Sequence, residues 1–148
     1  MRLFPLLPDQ FDCLIPLLAE RLEESKLTAF SSPEYLLKKL TDLYSIRSAG
    51  VYVDDVTDPR HCLIMTHFPG MTLDRVVATI NLIYTRPAFR GDTQAVDALY
   101  KTAENYARLN GADVLQGSSW LFDGSKRTDA LWTKLGFSLQ SVSYVKML

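Results

Sequence analysis

Apolar residues run along this chain first with a helical period, then with a strand period, then with the two in alternation. Arg2 to Leu6 reads as a short first strand, ended by Pro8. Asp9 opens a helical pattern that reaches about Glu24, and Pro16 inside it predicts a kink or a break into two pieces. Ser32-Pro33-Glu34 is a helix start: a serine cap, a proline at the first helical position, then an acid. In the helix that follows, Leu36, Leu40, Leu43 and Arg47 share a face with Leu37 and Tyr44, while Lys38, Lys39 and Asp42 turn to water. Gly50 stands where a helix-ending glycine is expected.

The period then changes. Val51, Val53 and Val56, then Cys62 to Phe68, then Val76 to Thr85 are rich in β-formers. Asp54-Asp55 through Pro59 and Pro69-Gly70 separate them with good turn chemistry, so the three read as an antiparallel meander. Gln94 to Asn110 is an amphipathic helix with Val96, Leu99, Ala103, Tyr106 and Ala107 on its apolar side, and Asn110-Gly111 ends it. Val114 to Gln116 fits a short buried strand. A last helix spans about Ser125 to Leu135 and stops at Gly136, and Phe137, Leu139, Val142, Tyr144 and Met147 read as a final strand. A strand-helix-strand unit in the second half implies a parallel pair beside the meander. Periodicity alone therefore gives a mixed α/β domain.

Composition narrows this. The 148 residues, 47% hydrophobic and 22% charged, suit one domain, 1–148, with one sizeable core. A net charge of -1 gives no electrostatic case for nucleic acid. No apolar run is long enough to cross a bilayer, so no membrane partner is expected, and Met1 to Pro8 does not read as a secretory signal. Cys13 and Cys62 are far apart in apolar surroundings and read as buried free thiols, which fits a cytoplasmic protein. No Cys/His group has metal-ligand spacing, so no metal is expected.

The segment that carries chemistry is Ile83 to Ala95. It leaves an apolar strand, turns through Pro87 and Gly91, and enters a helix. Amides of a first helical turn lack intrahelical partners and carry the positive end of the helix dipole. Such a place binds phosphate, and Arg90 adds forked donors beside it.

Pro87-x-Phe89-Arg90-Gly91 after the fourth strand resembles the acyl-CoA signature of the GNAT superfamily of N-acetyltransferases. Glu104, Ala107 and Gly111 match that family's helix end. Ala130-Leu131-Trp132-Thr133-Lys134-Leu135-Gly136-Phe137 is similar to its near-terminal helix-to-strand junction. The resemblance implies a GNAT-like mixed sheet flanked by helices, with antiparallel strands and a parallel pair splayed at a cofactor wedge. It implies acetyl-CoA as cosubstrate, its pantetheine paired with the backbone of Leu82, Ile83, Tyr84 and Thr85. Its diphosphate would rest on Arg90, Gly91, Asp92, Thr93, Gln94 and Ala95. A small-molecule or protein amine would attack the thioester directly, with no covalent enzyme intermediate. A homodimer is compatible with the sequence, which names neither the acceptor nor the oligomeric state.

The departures from the family pattern matter equally. Thr93 stands at a usual glycine position, where its β-branch crowds a phosphate, and Asp92 puts a negative charge where lysine is common. Both weaken the expected cofactor site. Trp132 replaces the tyrosine that usually protonates the leaving thiolate, and an indole is no proton acid. By the family layout Tyr84 and Tyr144 are then the candidate acids. The fourth strand contains no acid to serve as base; Asn81 is its conspicuous polar residue, sharing a face with Thr79 and Thr85, and can orient a water or the acyl carbonyl. Ser118 and Ser119 can position water but show no Ser-His-acid pattern. His61 and His67 read as packed or surface histidines and Trp132 as a packing residue. Two functions stand: an N-acetyltransferase, or a catalytically degenerate protein of the same fold with a binding, structural or assembly role. A general anion-binding module is a third and weaker reading.

Overall fold

The chain is seen in a computed structural model, which describes residues 1–117, 125–139 and 146. Its contacts divide it into two units, residues 1–118 and 119–148.

The first unit is a five-stranded sheet with helices on both faces. Its strands are β1 (Phe4–Pro5), β2 (Ala49–Val53), β3 (His61–Pro69), β4 (Val76–Thr85) and β5 (Val114–Gly117), lying in that order across the sheet. The pairs from β1 to β4 are antiparallel, and β4 with β5 is parallel. The meander and the parallel pair expected from the sequence are both present.

Pro16 acts as expected. Pro8–Leu14 is a 3₁₀ segment, and α1 (Ile15–Glu24) begins with Pro16 in its first turn, where a missing N–H costs nothing. The second helix, α2 (Pro33–Ser45), starts at Ser32, whose hydroxyl accepts from the Tyr35 amide at 3.1 Å. The inward faces of α1 and α2 meet alternate residues of the sheet. Leu14, Leu17, Leu18, Leu37 and Leu40 pack with Val51, Val53, Cys62 and Tyr84 in one buried cluster. Cys62 is fully buried and Cys13 half-buried, and both are free thiols.

The helix α3 (Thr93–Leu109) meets the opposite face of the sheet. Its Tyr106 lies edge-on to Tyr52 and His67, and its hydroxyl is 2.7 Å from His67 Nδ1. This contact corrects the reading of Gly50, which lies in β2 and does not end α2. Arg47, at φ 60°, takes the left-handed position after that helix. Gly50 is glycine because a Cβ there would lie 2.6 Å from the Tyr106 ring. Among the described residues no helix is long and apolar enough to cross a membrane.

In the second unit, α4 (Ser125–Lys134) is followed by a turn through Gly136 in which the Phe137 amide donates to the Trp132 carbonyl. The two rings meet edge-on at 4.8 Å, so Trp132 packs locally. Most of the expected final strand, including Tyr144, lies outside the described residues.

Tyr106 is buried and tied to His67, so it has little room to yield to a methyl group. Gly50→Ala is expected to lower the unfolding free energy by about 1–3 kcal/mol, the usual cost of overpacking. A urea melt followed by circular dichroism reads this directly, and an unchanged midpoint would mean that Tyr106 moves freely.

Candidate functional site

The site is built at the end of β4 and the turn that follows it. The recorded ladder pairs Val77 to Ile80 of β4 with Val114 to Gly117 of β5. On the other side, Ile64 of β3 faces Leu82 and the adjoining Met65 faces Ile80, so Asn81 is the extra residue of a β-bulge. Among the described residues, Leu82 to Thr85 pair with β3 alone.

A bulge reverses which face the following side chains take. Asn81 turns toward the β3 residue Thr66 and donates to its hydroxyl at 2.6 Å and to the Thr79 carbonyl at 3.2 Å. Beyond the bulge, Tyr84 enters the α1–α2 core, while Thr85 lies on the other face, its hydroxyl 2.9 Å from His61 Nδ1. Asn81 therefore keeps company with Thr79 but not with Thr85, contrary to a simple alternation. His61 is buried against this partner, and His67 is taken up by Tyr106.

The turn beyond β4 is fixed by backbone bonds. The Arg86 amide donates to the Arg60 carbonyl at 2.9 Å, and Pro87–Phe89 forms one 3₁₀ turn. Arg60 lies over the Phe89 ring at 4.8 Å. Gly91, at φ 98°, turns the chain into α3 through a conformation other residues rarely take.

Both arginines of this turn reach back to α1. Glu20 and Glu24 stand one turn apart on that helix. Arg86 Nε donates to Glu20 at 2.7 Å and its Nη1 to Asp58 at 3.1 Å. Arg90 forms a two-pronged pair with Glu24, both bonds 2.7 Å, and its Nε donates to the Thr85 carbonyl at 3.0 Å. The Tyr84 hydroxyl donates to the same Glu24 at 2.8 Å, and the guanidiniums of Arg21 and Arg90 lie 5.8 and 5.5 Å from its ring centre.

These contacts shift the protons involved. The Arg90 guanidinium holds the Glu24 carboxyl below its usual range, and the Tyr84 hydroxyl adds to that against some desolvation. Burial pushes the Tyr84 phenol up, and its bond to the Glu24 carboxylate pushes it further. Tyr84 thus holds its proton tightly and spends it on Glu24.

The start of α3 is filled from within. Asp92 is its N-cap, and its carboxylate accepts from the amides of Gln94 at 2.9 Å and Ala95 at 3.3 Å. Those amides belong to the set expected to hold a diphosphate. Thr93 and Gln94 are exposed and Ala95 is buried. The structure brings Leu82 to Thr85 and Arg90 to Ala95 to one end of the sheet. Tyr144, Ser118 and Ser119 lie outside the described residues.

The fit to acyl-CoA is divided. Extended backbone such as that of Leu82 to Thr85 is the kind of partner the two amides of a pantetheine arm can pair with. The turn does not suit a diphosphate as it stands, because a carboxylate covers two of the amides and Arg90 is committed to Glu24. Glu20 and Glu24 were hidden in the sequence: each looks like an ordinary acid of an amphipathic helix, and the partners are 66 residues away. No group of three metal-binding side chains forms among the described residues.

No protein-family model matches the chain, and no curated protein does. Solved structures do. A ribosomal-protein-alanine N-acetyltransferase from Brucella melitensis superposes with a TM-score of 0.73 at 16% identity, covering 100% of both chains. An aminoglycoside 6′-N-acetyltransferase from Acinetobacter haemolyticus gives 0.72 at 19% identity, covering 100% of this chain and 99% of that one. A protein described as a transcriptional regulator from Bacillus halodurans gives 0.74 at 20% identity, covering 99% of this chain and 97% of that one. At such identities the likeness is one of fold: the chain has the GNAT acetyltransferase fold.

Glu24 links stability to pH. Its folded pKa is depressed below the unfolded value near ~4.3, so its contribution is complete above that pH and is lost as pH falls through the folded pKa. The pair is partly exposed, at 45% for the Arg90 side chain and 30% for Glu24, which places it among ion pairs worth about 0.5–1 kcal/mol. Glu24→Gln is expected to lose about that much at neutral pH and progressively less as the pH falls through the folded pKa of Glu24. Denaturant melts across that range would show two parallel curves if Glu24 were not the titrating group.

Proposed function

We propose that this protein is an acyltransferase that moves an acetyl group from an acetyl-thioester donor, acetyl-CoA in the first instance, to an amine. One observation carries the reading. The bulge at Asn81 breaks the regular alternation of β4 just before Leu82 to Thr85, the segment that runs into the turn and the start of α3. A scaffold gains nothing from a bulge at that place, whereas a strand bent out of its regular ladder suits a thioester arm that pairs with backbone.

In this reading a neutral amine attacks the thioester carbonyl. The new C–N bond forms as the C–S bond breaks, the sulfur leaves as thiolate, and the proton shed by the nitrogen passes to water. The Asn81 side-chain amide N–H groups are used on Thr66 and Thr79, which leaves Oδ1 to accept from the incoming amine or from a water beside it. Tyr84 supports β4 from beneath and holds Glu24. The two acetyltransferase neighbours act on a ribosomal protein's alanine and on an aminoglycoside, both amine acceptors, which supports the amine class without choosing within it.

A second reading has its own observation. The carboxylate of Asp92 on the α3 amides and the commitment of Arg90 to Glu24 favour a catalytically degenerate protein of this fold with a binding, structural or assembly role. A neighbour described as a transcriptional regulator is consistent with that.

Release of free thiol from acetyl-CoA, followed across a panel of small amines and peptide N-termini, tests the first reading. Turnover with one acceptor supports it, and Asn81→Ala is then expected to reduce kcat about tenfold, the worth of one hydrogen bond. Melting temperature read alongside separates the second: a donor at ~100 times its dissociation constant stabilises by about 2.7 kcal/mol whether or not it reacts. A shift without thiol release across the panel would favour the binding protein, and no shift at millimolar acetyl-CoA would remove both donor-dependent readings.

A further inference from the structure

The turn between β4 and α3 contains its own anion. The Asp92 carboxylate receives the Gln94 and Ala95 amides. The cation next to it, Arg90, is tied through both terminal nitrogens to Glu24 and through Nε to the Thr85 carbonyl. Arg86, the other cation of the turn, is held by Glu20 and Asp58. A donor that arrives with a diphosphate therefore meets amides already bonded, a carboxylate of its own sign and two arginines already neutralised. To dock as a phosphate docks on a bare helix start, it must first expel Asp92. A donor reduced to its pantetheine arm meets none of this, because the edge at Leu82 to Tyr84 lies on the strand side of the turn.

We propose that Asp92 is a donor-selecting residue. It lowers the affinity of the protein for the nucleotide diphosphate of CoA, so that the chain takes acyl-pantetheine thioesters at least about as well as acyl-CoA. This inference rests on the acyltransferase reading above and adds the class of donor to it.

Asparagine caps a helix about as well as aspartate and carries no charge, so Asp92→Asn isolates the electrostatic part. Glycine at that position costs a helix only slightly and uncovers the amides as well. The test is calorimetric titration of the unaltered protein, Asp92→Asn and Asp92→Gly with CoA and, separately, with pantetheine, each protein first melted to establish that it is folded. The unaltered protein is expected to bind the two ligands within about tenfold of each other. Both variants are expected to bind CoA about tenfold more tightly at low salt, with the gain shrinking as salt is added, and to bind pantetheine unchanged.

Two results would overturn the inference alone: unaltered protein that already prefers CoA over pantetheine by a hundredfold, or CoA affinity that ignores both substitutions. A different result reaches the reading beneath it. If none of the three proteins binds either ligand, β4 is not a thioester site and the donor assignment falls with it.

Discussion

A single inserted residue organises this end of the molecule. Without the bulge at Asn81, β4 would alternate evenly through all ten of its residues, and Tyr84 would fall on the α3 face, away from α1 and α2. With it, the strand changes parity between Ile80 and Leu82. Ala78 and Ile80, before the bulge, are buried on one side; Leu82 and Tyr84, after it, pack on the other. The same insertion aims the Asn81 amide sideways, where Thr66 and the Thr79 carbonyl catch it. One local irregularity thus sets both the core contact of α1 and the placement of the Asn81 side chain.

The parity change explains why α1 and the turn after β4 are one electrostatic unit. Tyr84 reaches the end of α1 only because of the bulge, and its hydroxyl meets Glu24 there. Arg90 then closes on Glu24 from the turn, and Arg86 on Glu20 one helical turn earlier. Arginine suits this because its planar fork matches both carboxylate oxygens at once, as the two 2.7 Å bonds to Glu24 show. The turn is thereby clamped to the helix on one side while Gly91 lets it enter α3 on the other.

What the sequence disclosed follows from range. Local signals read true: the Ser32 cap, the break at Pro16, the bounds of β4 and the helix after Gly91 each depend on neighbours within a few residues. The fold followed, because the order of the elements with one strand-helix-strand unit leaves few arrangements. The site was legible only as an address. The residues from Leu82 to Ala95 do gather at one end of the sheet, yet their partners could not be read. Glu20 and Glu24 have no mark that separates them from any surface acid. The bulge was invisible as well, since Val76 to Thr85 alternates plausibly in either register, and the grouping of Asn81 with Thr85 failed for that reason. Gly50 was misplaced because its reason, the ring of Tyr106, lies in a helix far along the chain.

Asp92 shows how fold and ligand make different demands on one position. A helix start needs an oxygen on its free amides, and aspartate supplies it well. A diphosphate needs those same amides vacant and a field that is not negative. Glycine or lysine at this position leaves the amides to the ligand, whereas aspartate fills them itself. Nothing in the packing selects the aspartate, which is exposed, and its cap would be equally served by asparagine. The fold is therefore indifferent to the charge that most alters the ligand. Arg90 and Gly91 shape the turn, and Asp92 beside them fills two of the amides that the turn presents.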